Sequence, residues 1–372
     1  MPILIEPYAP DRVDAALEFN KRLRAAGVAL FGLQGSPVPE WLPPAPDEAL
    51  YEEFFLANDG DAVRGGYTLK HQQFSLNGVL DTVGFVYSPI SEGIIDQRFG
   101  SLGMRLMGHA QKRQPLLFCL GMGGYDNPLP KLLTAMGWTL VSVPFFLRIV
   151  RPNQFLRQLS YLDRFPGGRL CARVLAGTGM GWAAAKLVNG LRAHAAANAD
   201  TLEWKLVPEF PPDVDRVWTA ASDSYAFAAV RDHVSLNRIY PPRYKNQLRI
   251  LVLKEDRLIG WAVALDTQMR GHKFFGDARL GSVIDCLALS GCEHDVVSAA
   301  TAMLEARGVD VIVTNQAHNA WASAFRRGGW LQGPSNYIFA ASPKLAARFS
   351  SMTDAFDRFH ITRGDGEGPS NL

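Results

Sequence analysis

The chain has 372 residues, a length typical of two domains. Hydrophobic residues make up 48% and charged residues 20%, so the chain can bury a large core, which excludes extensive disorder. Lys and Arg number 38 against 36 Asp and Glu, a net charge of +2, which argues against the basic surface of a nucleic-acid-binding protein.

Cysteine usage and hydropathy indicate a reducing compartment and no membrane span. The four cysteines show no CxxC spacing, so we expect buried thiols rather than a disulfide framework or a zinc site. Residues 1–11 contain Glu6 and Asp11 and lack the pattern of an export signal. The longest uncharged apolar run, residues 174–185, is shorter than the roughly 20 residues that cross a bilayer. We therefore expect a cytoplasmic, bacterial-type protein.

The first region, residues 1–152, is predicted to be an α/β domain. Its opening helix, residues 11–26, has apolar residues at helical spacing. Asn77-Gly78 is a hairpin signal between two strand-like stretches. The other predicted elements are strands at 62–71, 72–76 and 79–87, helices at 102–111 and 128–136, a strand at 116–120 and a last strand pair at 139–150.

The second region, residues 203–349, repeats this order of elements, which indicates two tandem domains. Each is predicted to have a mixed, mostly antiparallel sheet flanked by helices. The predicted helices lie at 214–229, 295–306 and 320–327, and the strands at 249–253, 258–266, 281–289, 309–314 and 337–341.

Two segments lie outside these domains. Residues 153–202 are predicted to be a helical linker, in which 169–197 form a basic amphipathic helix. That helix either rests weakly on an anionic membrane surface or packs between the domains. Residues 350–372 are predicted to be a partly mobile tail.

A glycine turn leads directly into the predicted helix at 102–111. The backbone N–H groups at the start of a helix lack helical partners, and the helix dipole favours an anion there. The turn therefore predicts a phosphate site at the backbone N–H groups of Gly100, Ser101, Leu102, Gly103 and Met104.

Residues 98–103 (RFGSLG) resemble the Arg/Gln-x-x-Gly-x-Gly/Ala loop of the GCN5-related N-acetyltransferase (GNAT) superfamily. Residues 127–138 and 319–330 resemble the Asn-containing helix and Gly-aromatic pair that follow in that family. No His or Cys cluster has metal-ligand spacing, so no metal is expected. The resemblance implies two tandem acetyltransferase-like domains that use acetyl-CoA, whose pyrophosphate Arg98 and the loop up to Gly103 would hold. It also implies that Asn127, in a second glycine-rich loop, lines the pantetheine arm.

The sequence departs from the family pattern in three ways. Ser101 replaces the first motif glycine, and Leu133 and Phe325 stand where the family often has its general-acid Tyr. Residues 289–295 of the second region offer one glycine among acidic residues, which would repel a pyrophosphate. We therefore predict one coenzyme site, in the first region.

The resemblance places Glu92 near the thioester, so we predict it to be the general base, with Asp96 as a rival. A solvated loop carboxylate is the alternative for Glu92. Asp285 interrupts an apolar strand, and a buried carboxylate needs a partner or a raised pKa. We therefore predict that Asp285 binds the acceptor or acts as a base. The alternative is that the alternation of the strand places its side chain on a solvated face.

Two further stretches are predicted to bind the acceptor. The first stretch, directly before a rigid Pro-Pro turn, contains Asn237, Arg238 and Tyr240. The alternative to binding is a helix end that Asn237 caps. His360 and Arg363 precede a turn in the tail, and the alternative is a tail that packs on the last strand.

Together these features predict an N-acyltransferase that moves an acetyl or other acyl group from coenzyme A to an amine. The tandem architecture suggests an amino sugar, a polysaccharide or a cell-envelope precursor as the acceptor. A Fem-type aminoacyl or peptidyl transferase is one alternative, and a non-catalytic binding or assembly protein that keeps the fold is the other.

Overall fold

The computed structural model describes residues 2–28, 32–45, 48–152, 154, 202–272 and 275–367. It divides the chain into two compact units, which we call unit 1 (Met1–Ser142 and Asn336–Ala355) and unit 2 (Val143–Ser335 and Phe356–Leu372). The basic helix predicted at 169–197 and the end of the tail, 368–372, lie outside the described residues, as does nearly all of the predicted linker.

The elements are numbered along the chain. The strands are β1 (Leu4–Pro7), β2 (Tyr51–Asp59), β3 (Ala62–Leu76), β4 (Val79–Ser91), β5 (Leu117–Gly121), β6 (Thr139–Ser142), β7 (Phe145–Ile149), β8 (Leu202–Val207), β9 (Phe227–Ala229), β10 (Gln247–Lys254), β11 (Arg257–Gln268), β12 (Arg279–Ala288), β13 (Val311–Asn315), β14 (Leu331–Gly333), β15 (Ile338–Ala341) and β16 (Phe359–His360). The helices are α1 (Val13–Ala25), α2 (Leu102–Arg113), α3 (Pro128–Ala135), α4 (Val214–Ala221), α5 (His233–Ile239), α6 (Glu293–Ala306), α7 (Asn319–Arg327), α8 (Pro343–Ala346) and α9 (Met352–Ala355).

The sheet of unit 1 has the order β1-β2-β3-β4-β5-β15-β6. Its pairs are antiparallel except for β4 and β5, which run parallel. The predicted hairpin turn is confirmed, since Asn77 and Gly78 both have positive φ, 50° and 83°. The two strands predicted at 62–71 and 72–76 are one strand, β3. His71 and Gln72 at the predicted break are both buried, so the strand is covered on both faces there and shows no clear alternation.

Helices cover both faces of this sheet. α1 buries Phe19 and Leu23 against Leu56 and Ile90 on one face. α2 buries residues at helical spacing on the other face, in a cluster that includes Leu106, Val86 and Cys119. Such a sheet between two helical layers confirms the predicted α/β class.

The sheet of unit 2 has the order β14-β7-β13-β12-β11-β10-β8, in which only β12 and β13 are parallel. β9 and β16 form a short parallel pair in the same unit. The helix predicted at 214–229 is wrong beyond Ala221. A 3-10 turn at Ser222–Ser224 follows, and buried residues then form β9, because the hydroxyl of Ser224 bonds the carbonyl of Ala221 and ends the helix.

The units exchange strands along the sequence. β6 and β7 were predicted as one pair, yet β6 belongs to the unit 1 sheet and β7 to the unit 2 sheet, while β15 lies between β5 and β6. The domain boundaries predicted at 152, 203 and 349 therefore differ from those of the structure. The two-residue link between β6 and β7 is Val143-Pro144. A two-residue hairpin needs positive φ, which valine rarely and proline never adopts, so these strands do not pair with each other.

Within the part of the chain that the structure describes, every helix is too short or too polar to cross a bilayer.

Candidate functional site

In unit 1, β4 and β5 pair at only two positions, Gly84 with Leu117 and Phe85 with Phe118. Immediately beyond, β4 carries a bulge, since Tyr87 opposes Thr68 and Ile90 opposes Gly66 in β3. The bulge contains Ser88, whose φ is +49°. Because a bulge bends its strand, the carboxyl half of β4 turns away from β5 and leaves a wedge between them.

The predicted phosphate turn lies between this end of β4 and the start of α2. Within this turn the backbone of Gly93 lies against that of Phe99. A Cβ at residue 93 would lie only 2.5 Å from the carbonyl oxygen of Phe99. The hydroxyl of Ser101 does not cap α2, and the first-turn N–H groups of a helix have no partner within the helix. A Cβ on Gly103 would meet its nearest neighbour, Leu132, at an ordinary 3.5 Å. The turn can therefore receive an anion, and the glycine that its conformation requires is Gly93, which sequence reasoning missed.

The predicted side chains of the turn differ in exposure. Arg98 has 82% of its side chain exposed and pairs with Asp96, so an anion would have to compete with that carboxylate. Leu102 is buried in the core beneath α2, and it can contribute to a ligand only through its backbone.

Asn127 holds the loop between β5 and α3. Its amide Nδ2 donates to the carbonyl of Met122 at 2.7 Å. All four residues from Gly121 to Gly124 have positive φ, a conformation that glycine adopts readily and other residues rarely do. The hydrogen bond from Asn127 stabilises this conformation of the loop. A role for Asn127 along the pantetheine arm stays a prediction.

Unit 2 repeats the wedge. β12 and β13 pair only from Leu280 with Val311 to Ser282 with Val313. β12 then carries its own bulge at Ile284, because Val283 opposes Ala264 while Asp285 opposes the adjacent Val263.

The wedge of unit 2 is filled by the protein's own C-terminal segment. The backbone N–H of Ala317, after β13, donates to the carbonyl of Ile361 at 3.2 Å, and Gln316 forms a bridge with Thr362. On the β12 side, Nε2 of His360 donates to the carbonyl of Cys286 at 2.9 Å. Of the predicted tail, residues 350–355 thus belong to unit 1, and residues 356–367 pack in unit 2. Among the described residues no such isolated bridge lies beside β5 in unit 1.

A closed ionic network anchors this segment. The Arg231 guanidinium donates to Asp285 at 3.1 Å and to Asp365 at 2.9 Å. Asp285 also accepts from the hydroxyl of Tyr240 at 2.8 Å and from that of Thr362 at 3.1 Å. Burial raises the pKa of both Asp285 and Tyr240.

Sequence reasoning therefore chose residues that the fold does bring together, but in a different role. Asp285 and Tyr240 are buried and pair with groups of their own chain, which argues against acceptor binding or base chemistry. Asp285 does not face solvent either, contrary to the alternative considered for it. A Cβ on Gly364 would clash with the Tyr240 hydroxyl, so the segment packs directly on this network.

Comparison with solved structures identifies the fold. The chain is similar to a GCN5-related N-acetyltransferase from Anabaena variabilis ATCC 29413, with a TM-score of 0.55 and 9% identity over 91% of this chain and 72% of that one. It is also similar to a conserved protein of unknown function from Enterococcus faecalis V583, described as a probable N-acyltransferase, with a TM-score of 0.53 and 8% identity over 93% and 74% of the two chains.

The chain has the GNAT fold, and each of its two units has a mixed, mostly antiparallel sheet. A tandem GNAT protein from the clavulanic acid biosynthesis pathway aligns with a TM-score of 0.47 and 12% identity over 91% of this chain and 98% of that one. No protein-family model and no curated protein matches the sequence.

Glu92, the predicted base, is clamped by two arginines of unit 1. Its oxygens accept from Nε of Arg22 at 2.7 Å and from Nη1 of Arg64 at 2.9 Å, and the residue is buried. Both carboxylate oxygens are already occupied by guanidinium donors, so neither is free to take a proton from a substrate, which argues against Glu92 as a base. The rival Asp96 is no better placed, since the hydrogen bond from the Arg98 side chain lowers its pKa.

The remaining predicted acceptor residues belong to unit 2. The amide of Asn237 pairs with both the N–H and the carbonyl of Phe210, a structural bond that replaces the predicted binding role. His360 is buried in the filled wedge. Arg238 lies on α5, and Arg363 lies in a half-buried 3-10 turn. Acceptor binding by these two arginines stays a prediction.

Sequence reasoning missed a polar cluster on the α1 face of the unit 1 sheet. Glu52 on β2, Lys70 on β3 and Phe85 on β4 are directly opposed, so their side chains share one face. The Lys70 ammonium lies 5.2 Å from the ring centre of Phe85 and 5.7 Å from that of Trp41. Glu52 is 2% exposed, and one of its oxygens, Oε1, has no hydrogen-bond partner among the described residues. The sequence does contain a clue to this cluster. Glu52 alternates with Phe54 and Leu56 along β2, so an acidic residue shares a strand face with apolar ones.

Burial raises the pKa of Glu52 to about 7, although the charge of Lys70 and a hydrogen bond from Tyr87 oppose the rise. A cavity of about 10 Å³, room for about one water molecule, lies at the bulge of β4 and is lined by residues that include Ser88 and Thr68. Glu52, Lys70 and Tyr87 are not among its lining residues.

No group of three or more His, Cys, Asp or Glu side chains that could hold a metal ion occurs among the described residues.

Proposed function

We propose that the protein is an N-acyltransferase that takes an acyl group from a coenzyme A thioester and transfers it to an amine, with the coenzyme bound in unit 1. The GNAT fold supports acyl transfer in general. The observation that carries the proposal is the difference between the two wedges. In unit 2 the chain's own residues 359–362 hydrogen-bond to Cys286, Gln316 and Ala317, whereas in unit 1 the wedge adjoins an uncapped helix start.

The residues of unit 1 suit such a coenzyme. Its pyrophosphate would meet the first-turn N–H groups of α2 at Leu102, Gly103 and Met104, where the helix dipole favours an anion. The exposed guanidinium of Arg98 lies at the same turn and adds a cation. The coenzyme supplies the activated acyl group, while the protein has to position it and to accept a proton from the acceptor amine.

The acceptor is proposed to be an amine on a small molecule or glycan, with an amino sugar, a polysaccharide or a cell-envelope precursor as the class to screen first. This class rests on the tandem architecture alone. The protein is proposed to act in the cytoplasm.

Calorimetric titration with acetyl-CoA tests the coenzyme site. We expect one molecule bound per chain. Gly103→Asp should abolish binding, because it places a negative charge where the phosphates would lie, yet the fold should persist since the new Cβ meets Leu132 at an ordinary 3.5 Å. Gly108→Asp is the matched control, because it adds the same charge further along α2 with no atom within 4 Å of the new Cβ.

Each other result has a distinct meaning. Two molecules per chain would contradict the assignment to unit 1 alone. Unchanged affinity in Gly103→Asp would remove the phosphate role of the turn, and no binding by the wild-type protein would overturn the proposed function.

A further inference from the structure

We infer that Glu52 is the general base of the acyl transfer, and that Tyr87 and Lys70 position and tune its carboxylate for an ammonium acceptor on the α1 face of the unit 1 sheet. The inference rests on the proposed function and names a residue for it. It also replaces Glu92, whose oxygens are both held by arginines.

The Glu52 carboxylate has an oxygen that can take a proton. Oε1 of Glu52 is buried without a hydrogen-bond partner among the described residues. A buried, unsatisfied carboxylate oxygen costs free energy unless some group completes it. An ammonium donates the N–H that such an oxygen lacks, and its positive charge offsets the burial of the carboxylate.

The position of the cluster fits the reaction. Tyr87, which donates to Glu52, directly precedes Ser88 of the β4 bulge, the point at which β4 leaves β5 and the wedge begins. A cavity with room for about one water molecule lies at Ser88 of this bulge. An acceptor nitrogen at the bulge would thus lie next to Tyr87, the residue that hydrogen-bonds to Glu52.

The loop before β2 covers this site. The backbone N–H of Glu52 donates to the carbonyl of Leu42, and the Trp41 ring lies against the Lys70 ammonium. An acceptor would therefore enter beneath this loop, and the aromatic rings of Trp41 and Phe85 would face it.

The proton balance is complete. The acceptor ammonium gives one proton to the Glu52 carboxylate and becomes a neutral amine. The amine nitrogen bonds to the thioester carbon, the carbon–sulfur bond breaks, and the second nitrogen proton leaves with the coenzyme thiol. The products are an amide and a thiol, and Glu52 returns its proton to water.

Lys70 and Tyr87 are the charged and titratable groups that face Glu52 from β3 and β4. Burial together with these two groups sets the pKa of Glu52 near 7, which suits a base at neutral pH.

The test measures thiol release from acetyl-CoA with excess glucosamine as the probe acceptor. Glu52→Gln should lower kcat by about 10²- to 10⁴-fold, the usual contribution of a general base, while calorimetry shows unchanged affinity for acetyl-CoA. Glu53→Gln is the matched control. Glu53 is the adjacent acid on the opposite face, where His71 and Arg113 hydrogen-bond to it and, despite burial, lower its pKa to about 2, so thiol release should keep its wild-type rate.

A second variant guards against a folding defect. Tyr87→Phe removes the hydrogen bond that lowers the pKa of Glu52, so the acidic limb of the kcat/KM profile should move to higher pH. A purely structural role would leave that limb in place. A wild-type rate for Glu52→Gln, or an unmoved limb for Tyr87→Phe, would overturn the inference and leave coenzyme binding intact. No glucosamine-dependent thiol release by protein that binds acetyl-CoA would overturn it together with the amino-sugar acceptor, and failure to bind acetyl-CoA would overturn the proposed function itself.

Discussion

Glu92 joins three segments of unit 1 through its bonds to Arg22 on α1 and Arg64 on β3. Its side chain is 6% exposed, while those of Arg22 and Arg64 are 31% and 24% exposed. We expect Glu92→Gln to lower the free energy of unfolding by about 2–3 kcal/mol, the usual loss for hydrogen bonds to a charged group. Urea unfolding monitored by circular dichroism measures this. A variant of wild-type stability that has lost turnover would instead support Glu92 as the base.

The Glu52 carboxyl makes stability depend on pH. Its pKa is about 7 in the folded protein against an ordinary value of 4.5. Between these values the folded state binds more protons than the unfolded state, so the free energy of unfolding should fall as pH rises through this window. The contribution is up to about 3 kcal/mol.

His318 acts in the opposite direction, because burial lowers its pKa to about 4 from an ordinary 6.5, and stability rises with pH between these two values. The difference between wild-type protein and Glu52→Gln isolates the Glu52 contribution. The variant should lack the decline with pH, as measured by urea unfolding at a series of pH values. Parallel curves for the two proteins would contradict the raised pKa.

Single residues differ in how far the sequence reveals them. Asp285 stands out because an acid interrupts an apolar strand, and it is indeed buried. Its partners Arg231 and Asp365 are distant in sequence and become neighbours only through the fold, so the closed network was not predictable. Glu52 is one of two consecutive acids, and only the register of β2 shows that it faces inward while Glu53 pairs with His71 and Arg113.

At the scale of elements, amphipathic helices and glycine turns were predictable, and fully covered strands were not. The sequence predicts α1, α2, α3 and the hairpin at Asn77-Gly78 because each has its own local pattern. β2 was missed because it mixes acidic residues with large apolar ones, and its tertiary neighbours rather than its alternation determine it.

The wedge in each unit arises from the same device, a bulge in the strand before the parallel pair. What differs is the occupant. In unit 2 the segment from Phe359 to Asp365 supplies backbone partners and a buried carboxylate, so the bulged strand is satisfied within the chain. The two units thus contain one wedge closed by the protein itself and one that adjoins a helix start suited to an anion.

At the scale of the whole molecule, the order of elements was predicted but not their assignment to units. Apolar strands such as β7 and β15 show no local preference for one sheet over another. The one local signal was Val143-Pro144, which cannot form a tight hairpin between β6 and β7. Reading that link as a barrier to pairing would have predicted that the two strands belong to different sheets.

The strand exchange predicts that the first sequence region cannot fold alone. A fragment of residues 1–152 contains β7 without its sheet and lacks β15, which lies between β5 and β6 with all four side chains fully buried. Burial of Ile338 and Phe339 contributes about 1.5–3 kcal/mol each, and the backbone of β15 bonds strands on both sides. The free energy that unit 1 would lose without β15 is therefore comparable to the roughly 5–15 kcal/mol that stabilises a whole domain.

We therefore expect the fragment 1–152 to show no cooperative thermal unfolding by circular dichroism, and a peptide of residues 336–355 added in excess to restore it, because that peptide completes unit 1. A peptide with Phe339→Asp is the matched control and should fail, since it would bury an unpaired charge within the sheet. If the fragment alone unfolds cooperatively, β15 is dispensable to unit 1, and the strand order β5-β15-β6 does not describe how this sheet is stabilised.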